Sequence, residues 1–272
     1  MTAPVAVALV GAFGRMGLEI ARAAASFPGC TITAALEHGD CPGLGKDLGL
    51  VSGIPKMDVL IGSNLSKGLG GADVIIDLSL REATIEVANV AASKGKALIC
   101  GTTGLHRNDI SALEEASKKV PVLHTPNLSP GIAVMTALLE QAVRALGDEY
   151  DIEIVEIHHR NKVDAPSGTA LALAEAARSA ADMDPDEALV FGRHGETGVR
   201  PTNRIGVHAM RGGGVFGEHT AVLAGEHERL EITHRAGSRA LFATGALRAA
   251  VFLRGMSPGL YTMADVLGLK RN

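Results

Sequence analysis

The chain has 272 residues, 46% of them hydrophobic and 21% charged, with a formal net charge of −4. At roughly 150 residues per domain, that length predicts one or two domains with a full apolar core, and the composition excludes disordered and fibrous classes. A weakly acidic chain lacks the basic surface that displaces counterions from phosphates, so no nucleic acid is expected as partner. No apolar run approaches the ~18 residues of a membrane span, so no membrane is expected either.

Cys30, Cys41 and Cys100 are odd in number, widely spaced and without a CxxC pair. Neither a disulfide framework nor a metal site is expected from them, and a reducing cytoplasm is the expected location. The N-terminal apolar stretch runs straight into glycines, with no basic region or cleavage site of a signal peptide. Trp is absent and Gly numbers 33, so the core must be packed from Ala, Val, Leu and Ile.

In chain order, Val5–Val10 is a continuous apolar run, as a buried parallel strand requires. Met16–Ser26 reads as an Ala-rich helix, Thr31–Leu36 as a second strand and Asp73–Leu78 as a third. Glu82–Lys94 is a helix, Ala97–Cys100 a strand, Asn108–Lys119 a helix and Val120–His124 a strand. This alternation predicts an α/β fold: a Rossmann-like, doubly wound parallel sheet with helices on both faces. The pattern changes after Asn127. Pro130–Leu146 is a long amphipathic helix closed by Gly147, and Asp151–His159 alternates with period two as a strand with unlike faces. Ala170–Ala181 is helical, Phe191–Gly217 is rich in Gly, Arg and His, and His219–Ala224 and Arg229–His234 read as strands. Ser238–Leu253 is a last helix and Tyr261–Leu267 a short final element. The second region is thus a smaller α+β domain, with a boundary near Ser129.

GAFGRMG, Gly11–Gly17, follows the first strand and opens the first helix, where backbone can approach a pyrophosphate and offer it free N–H groups. The spacing is GxxGxxG, not GxGxxG; Phe13 and Met16 occupy two of the glycine positions of that fingerprint. Glu37 ends the second strand, placed to accept hydrogen bonds from an adenosine ribose diol. A tight strand-to-helix turn without ligand is the alternative. A carboxylate beside a 2′-phosphate is costly, so NADH is favoured; Arg15 and His38 lie close enough in sequence to leave NADPH open. Gly101, Thr102 and Thr103 end the fourth strand, and Thr125, Pro126, Asn127 and Leu128 end the next. Carboxyl ends of parallel strands are where such sheets bind ligands, although both segments also read as a turn or linker.

The densest chemistry is EIHHRNKVDAPSGTA, Glu156–Ala170, with His158, His159, Arg160 and Lys162 at the end of an otherwise apolar strand. Four such groups repel one another unless an anion offsets them. Ser167, Gly168 and Thr169 then open a helix whose first N–H groups favour a carboxylate. The residues read as a site for a small anion with a histidine able to move a proton; a structural histidine pair and a plain N-cap are the alternatives. Arg193, His194, Arg200, Arg204, His208 and Arg211 form either a solvated loop or the wall of a polyanion pocket.

These blocks resemble the 4-hydroxy-tetrahydrodipicolinate (dihydrodipicolinate) reductase family. The resemblance runs through GAFGRMG, CGTTG, PNLSPG, the HHRNKVDAPSGTA block, RGGGVFGEH, HRAGSRALFATGA and GLYTMADVLGL, in order and over essentially the whole chain. It implies an NADH- and/or NADPH-dependent reductase of a cyclic imine dicarboxylate, acting with loss of water in lysine and diaminopimelate biosynthesis. It also implies His158 as proton donor and Lys162 as companion acid, with His159, Gly168 and Thr169 on the substrate carboxylates. Gly11, Ala12, Phe13, Gly14, Arg15 and Met16 would cradle the pyrophosphate, Glu37 the ribose, and His38 a 2′-phosphate. Gly101–Thr103 and Thr125–Leu128 would contact the nicotinamide half. The dinucleotide domain is expected over 1–129, completed by 239–272; residues 130–238 are expected to bind substrate and build a homotetramer. Leu78 and Leu128 stand where the family often has Phe, which trims aromatic packing near the nicotinamide. Rival readings are a related two-domain dehydrogenase for an amino-acid-like anion and a non-catalytic dinucleotide sensor.

Overall fold

A computed structural model describes residues 3–69 and 71–269. These divide into two compact units, one running to Pro130 and resuming at Arg239, the other spanning Gly131–Ser238.

In the first unit the apolar runs become strands and the Ala-rich stretches helices. Their order is β1 (Val5–Val10), α1 (Arg15–Ala24), β2 (Cys30–Leu36), α2 (Leu48–Val51), β3 (Ile61–Gly62) and α3 (Leu65–Gly68). Then come β4 (Val74–Asp77), α4 (Arg81–Lys94), β5 (Ala97–Cys100), α5 (Arg107–Ser117) and β6 (Pro121–His124). Every residue of β4 and β5 is buried, the signature of strands covered on both faces.

The second unit contains α6 (Pro130–Leu146), β7 (Asp151–His158), α7 (Gly168–Ala180), β8 (Leu189–Phe191), β9 (Ile205–Arg211), β10 (Glu218–Ala224) and β11 (Arg229–Arg235). The chain then supplies the first unit with α8 (Ala240–Leu253), β12 (Gly259–Tyr261) and α9 (Met263–Val266).

The seven-stranded sheet runs β12-β6-β5-β4-β1-β2-β3, and all its pairings are parallel. Strand order reverses between β1 and β4, so the carboxyl ends of those two strands flank the crevice where open α/β sheets bind ligands. Helix α8, with Ala243, Ala246, Ala249 and Ala250 fully buried, packs against α1. Small side chains allow that close approach, which is how a chain without Trp fills its core.

The five-stranded sheet has the order β11-β10-β7-β9-β8, with β7, β9 and β8 parallel and β10 antiparallel to both neighbours. Its core face is Ile152 and Ile154 of β7, Ile205 and Val207 of β9, and Ala221 and Leu223 of β10. Ile132, Met135, Leu139 and Val143 of α6 and Ala170, Leu173, Ala174 and Ala177 of α7 cover it. The period-two strands leave Val155, Ile157 and Val222, all half-buried, on the opposite face.

Two expectations need correction. Ile205–Arg211, within the stretch read only as Gly-, Arg- and His-rich, is the strand β9. Tyr261–Leu267 is not one element: β12 extends the parallel sheet and α9 follows it. The short β3 and β8 carry too few residues to show a period. Among the described residues no helix is long and apolar enough to cross a membrane.

Candidate active site

The glycine loop leaves β1 at Gly11, whose φ of +79° suits glycine, and a Cβ there would lie 2.6 Å from the Leu78 carbonyl oxygen. A Cβ at Gly17 would lie 2.3 Å from the Gly11 carbonyl oxygen, so α1 can start against the loop only because this position has no side chain. Gly14 is the N-cap of α1 and makes no side-chain cap bond. The first-turn N–H groups, from Arg15 onward, therefore depend on an outside acceptor.

Gly11 and Ala12 donate to the Leu36 carbonyl, at 3.0 and 3.2 Å. Phe13 donates to Glu37 Oε1 at 2.9 Å, and the His38 N–H to Glu37 Oε2 at 3.2 Å. The backbone thus fixes the Glu37 carboxylate at the loop while further lone pairs stay open to hydroxyl donors.

A cleft of about 600 Å³ lies at the strand-order reversal, lined by Gly11, Gly14, Glu37, His38, Leu78 and Ser79 among others. Its size, glycine floor, helix N-terminus and carboxylate rim fit the adenosine–pyrophosphate part of a dinucleotide. His38, which lines it, is exposed, as is Arg15 next to Gly14.

Gly101, Thr102 and Thr103 follow β5 beside this cleft without lining it. Thr102 Oγ1 donates to the Ser79 carbonyl at 3.3 Å, and the Leu78 and Leu128 side chains both close on Gly101. Leu78 and Leu128 therefore meet at one glycine. Thr125–Leu128 forms a local turn in which Thr125 Oγ1 donates to the Asn127 carbonyl at 2.8 Å. Glu37, His38 and Cys41 each bring one possible metal-ligand atom within 4.8 Å of the others.

In the second unit, alternation along β7 carries the core face from Ile152 and Ile154 to Glu156 and His158 at the carboxyl end. Register places Arg211 of β9 opposite His158, and His219 of β10 opposite Glu156. The apolar face thus ends in four ionisable groups. Glu156, fully buried, accepts from Arg211 Nη1 and Nη2, both at 2.8 Å, and from the Ser167 N–H at 3.0 Å. His158 Nδ1 lies 2.6 Å from its Oε2. Burial opposes the Glu156 charge, but the bonds from Arg211, His158 and Ser167 outweigh it and hold the carboxyl below its usual range. Burial lowers the His158 imidazole below its ordinary value, with Lys162 and Arg211 adding to that and Glu156 pulling the other way.

His159 and Lys162 stand in the following loop, both half-buried. The loop is laced to Gly212–Val215 by Gly212 N to His158 O at 2.9 Å and His159 N to Val215 O at 2.8 Å. Lys162 Nζ sits 2.9 Å from the Asp164 carboxylate. Ser167 caps α7, its Oγ accepting from Ala170 N at 3.1 Å, and Gly168 and Thr169 follow in the first turn. Lys162 acts electrostatically on His158, and Ser167, the cap of α7, shares the Glu156 carboxylate with it. Their roles rest on the proposal below.

Glu156 and His219 had no assigned role. A Glu on the apolar parity of a strand, two residues before a histidine, is the signal for the first; His219 carries none in sequence alone. The polyanion wall is not found. Arg193, Arg200 and His208 converge on Glu153 at 2.6–3.1 Å, and Arg204 pairs with Glu187 at 2.8 Å. Local carboxylates neutralise these cations, and Arg211 serves Glu156.

His219 bears on acid stability. It is 3% exposed, and burial pushes its pKa down to about 4. Between the ordinary value and about 4 the unfolded chain binds a proton that the folded chain refuses, so stability falls as pH drops through that window, by about 3 kcal/mol in all. Glu153, held at about 2 by its Arg and His partners against the cost of burial, loses its contribution as pH falls from the ordinary carboxylate value toward about 2. Urea unfolding at pH 7 and pH 5 should show the His219 slope, and His219→Asn should flatten it; an unchanged slope would mean that His219 is not buried in its neutral form.

Comparison with known proteins places these features. Residues 5–128 match the family described as "Dihydrodipicolinate reductase, N-terminus", and residues 131–267 match its C-terminus counterpart. The 4-hydroxy-tetrahydrodipicolinate reductase of Anaeromyxobacter dehalogenans is 48% identical over 97% of this chain and 98% of its own. That of Alkalilimnicola ehrlichii is 45% identical over the same shares. Among solved structures, a dipicolinate-bound dihydrodipicolinate reductase from a Paenisporosarcina species superposes with a TM-score of 0.74 at 21% identity, covering 96% of this chain and 98% of that one. An amine dehydrogenase from Mycobacterium smegmatis, TM-score 0.59 at 11% identity and covering 96% and 95%, shares the fold alone. With both halves matched end to end and close relatives covered almost completely, the chain belongs to the dihydrodipicolinate reductase family.

Proposed function

We propose that this protein is a 4-hydroxy-tetrahydrodipicolinate reductase, reducing the cyclic imine dicarboxylate to tetrahydrodipicolinate with loss of water, a step toward lysine and diaminopimelate. The observation that carries this reading is the meeting of His158, Lys162 and the α7 N-terminus at the carboxyl end of β7, in a chain that matches the family throughout. A bound nicotinamide supplies the hydride that adds to C4 of the conjugated imine.

The chain's own residues do the rest. Gly11–Met16 hold the pyrophosphate and Glu37 the adenosine ribose, with Gly101–Thr103 and Thr125–Leu128 toward the nicotinamide. His159, Gly168 and Thr169 bind the two carboxylates, and the α7 dipole favours that charge. His158 delivers the proton to C3 of the enamine. Its imidazole resists protonation in the free protein, and a bound dianion reverses that preference, so the acid is charged when substrate arrives. Lys162 offsets charge on the ring nitrogen and carboxylates.

NADH is the preferred reductant, because Glu37 accepts ribose hydroxyls and opposes a 2′-phosphate; exposed Arg15 and His38 give NADPH partial access. Replacing Glu37 by Ala should weaken NADH at least about tenfold, in line with two lost charge-assisted hydrogen bonds, and NADPH much less. Titrations of both dinucleotides decide this, and equal losses would remove the ribose role.

The half-buried face with Val155, Ile157 and Val222 is covered by further copies in a homotetramer, and three unpaired cysteines suit a reducing cytoplasm. The decisive assay follows 340 nm absorbance with substrate made in situ from pyruvate and aspartate semialdehyde. Substrate-dependent oxidation of NADH is expected. Its absence, in protein shown to bind NADH, would overturn the activity.

A further inference from the structure

We propose that Glu156, clamped by Arg211, is a positioning residue for His158: it fixes the imidazole as the Nδ1–H tautomer and so turns Nε2 to the substrate. The inference rests on the reading of His158 as proton donor and adds to it the device that orients the donor.

An ionised carboxylate only accepts hydrogen bonds. With Glu156 Oε2 at 2.6 Å, Nδ1 must therefore carry the proton, and the exchangeable site of the ring is Nε2. The carboxylate cannot turn away. Its two oxygens take the parallel fork of Arg211, at 2.8 Å each, and Oε1 also takes the Ser167 N–H at 3.0 Å. Arg211 is itself fixed by strand register opposite His158 and by its Nη2 bond to the Asp164 carbonyl at 2.6 Å.

The ring has little freedom besides. His219 meets it edge-on, centroids 5.2 Å apart. On the Nε2 side the wall is Gly217, with φ +136°, where a Cβ would stand 2.8 Å from that nitrogen. A merely structural ion pair would be complete with Glu156 and Arg211 alone. The remaining carboxylate valence instead goes to the imidazole on which Lys162 also acts, and the neighbouring His219 takes the Ser167 hydroxyl at 3.1 Å. Glu156 also accounts for the basicity of the donor. Glu156 on its own strand, Lys162 in the next loop, Arg211 on β9 and His219 on β10 are the ionisable groups acting on His158. Of these, Glu156 alone stabilises the imidazolium.

The test compares Glu156→Gln and Arg211→Lys with wild type and His158→Gln. A Gln at 156 that gives its oxygen to Arg211 presents its amide N–H₂ to Nδ1, which must then accept. Imidazole ¹⁵N spectra should therefore show the His158 proton moved from Nδ1 to Nε2. Turnover should fall about 10²-fold or more, since the ring then sits in the wrong tautomer. The high-pH limb of kcat/KM should move to lower pH, and NADH affinity should stay within about twofold. Arg211→Lys keeps the charge and loses the fork; a smaller loss of kcat with the wild-type tautomer is expected there, and it serves if Glu156→Gln does not fold.

Folded Glu156→Gln protein with wild-type kcat, tautomer and pH profile would overturn the proposal, as would wild-type turnover and pH profile in Arg211→Lys should the Gln variant not fold. If His158→Gln itself turns over normally, the donor assignment has failed instead. The two failures are therefore separable.

Discussion

Replacing His158 by Gln is expected to lower kcat by about 10²–10⁴-fold, the range that a positioned general acid supplies, with NADH affinity unchanged. Gln matches much of the volume of imidazole and can still hydrogen-bond Glu156, but it cannot deliver a proton. The residues assigned to the cofactor all lie in the first unit, at or before Leu128, and His158 ends a strand of the second. The substitution therefore alters none of the residues assigned to the cofactor.

The pH profile gives a sharper reading. The acid must be charged at the start of the reaction. In the free protein burial holds its pKa below the ordinary histidine value, so kcat/KM should fall as pH rises through that lowered value. In the substrate complex two carboxylates favour the imidazolium, so the corresponding limb of kcat should lie at higher pH. Both limbs should vanish in the variant. Near-wild-type turnover, or limbs that persist, would assign the proton to another group.

What could be read from sequence followed the reach of each signal. The parallel sheet is legible because β1, β5 and Val74–Ile76 of β4 are apolar runs buried almost throughout. The glycine loop was legible because close approach leaves one residue type, as at Gly17. Strand β9 was not, since Ile205–Arg211 holds glycine, histidine and arginine among its apolar residues and lies in a glycine-rich stretch. Its place in the sheet comes from pairing with β7, about fifty residues earlier in the chain. The basic residues show the same limit. A count of cations near Arg193–Arg211 suggests a polyanion site, but Glu153 is a distant residue in sequence and register alone brings it among them. The His158 block was readable as chemistry, whereas the Glu156–Arg211 clamp depends on which residues face each other across two strands.

Replacing Lys162 by Ala is expected to lower kcat/KM by about 10²–10³-fold, the scale of one electrostatic donor lost from a reacting site. Its ammonium lies 2.9 Å from Asp164, a residue whose side chain is 61% exposed. An ion pair so open to water contributes at most about 1 kcal/mol, so the fold should tolerate the change and Tm should move little. The same weakness lets Lys162 exchange Asp164 for a substrate carboxylate at small cost.

Three variants separate its possible roles. Lys162→Ala removes charge and proton together. Lys162→Arg keeps the charge, but a guanidinium does not give up its proton; a companion acid would therefore leave KM near wild type and kcat low, whereas a purely electrostatic role would restore both. Asp164→Asn frees the ammonium from its counter-ion and should lower KM. Wild-type kinetics in Lys162→Ala would remove Lys162 from the site, and a raised KM in Asp164→Asn would show that the carboxylate holds Lys162 in place rather than competing for it.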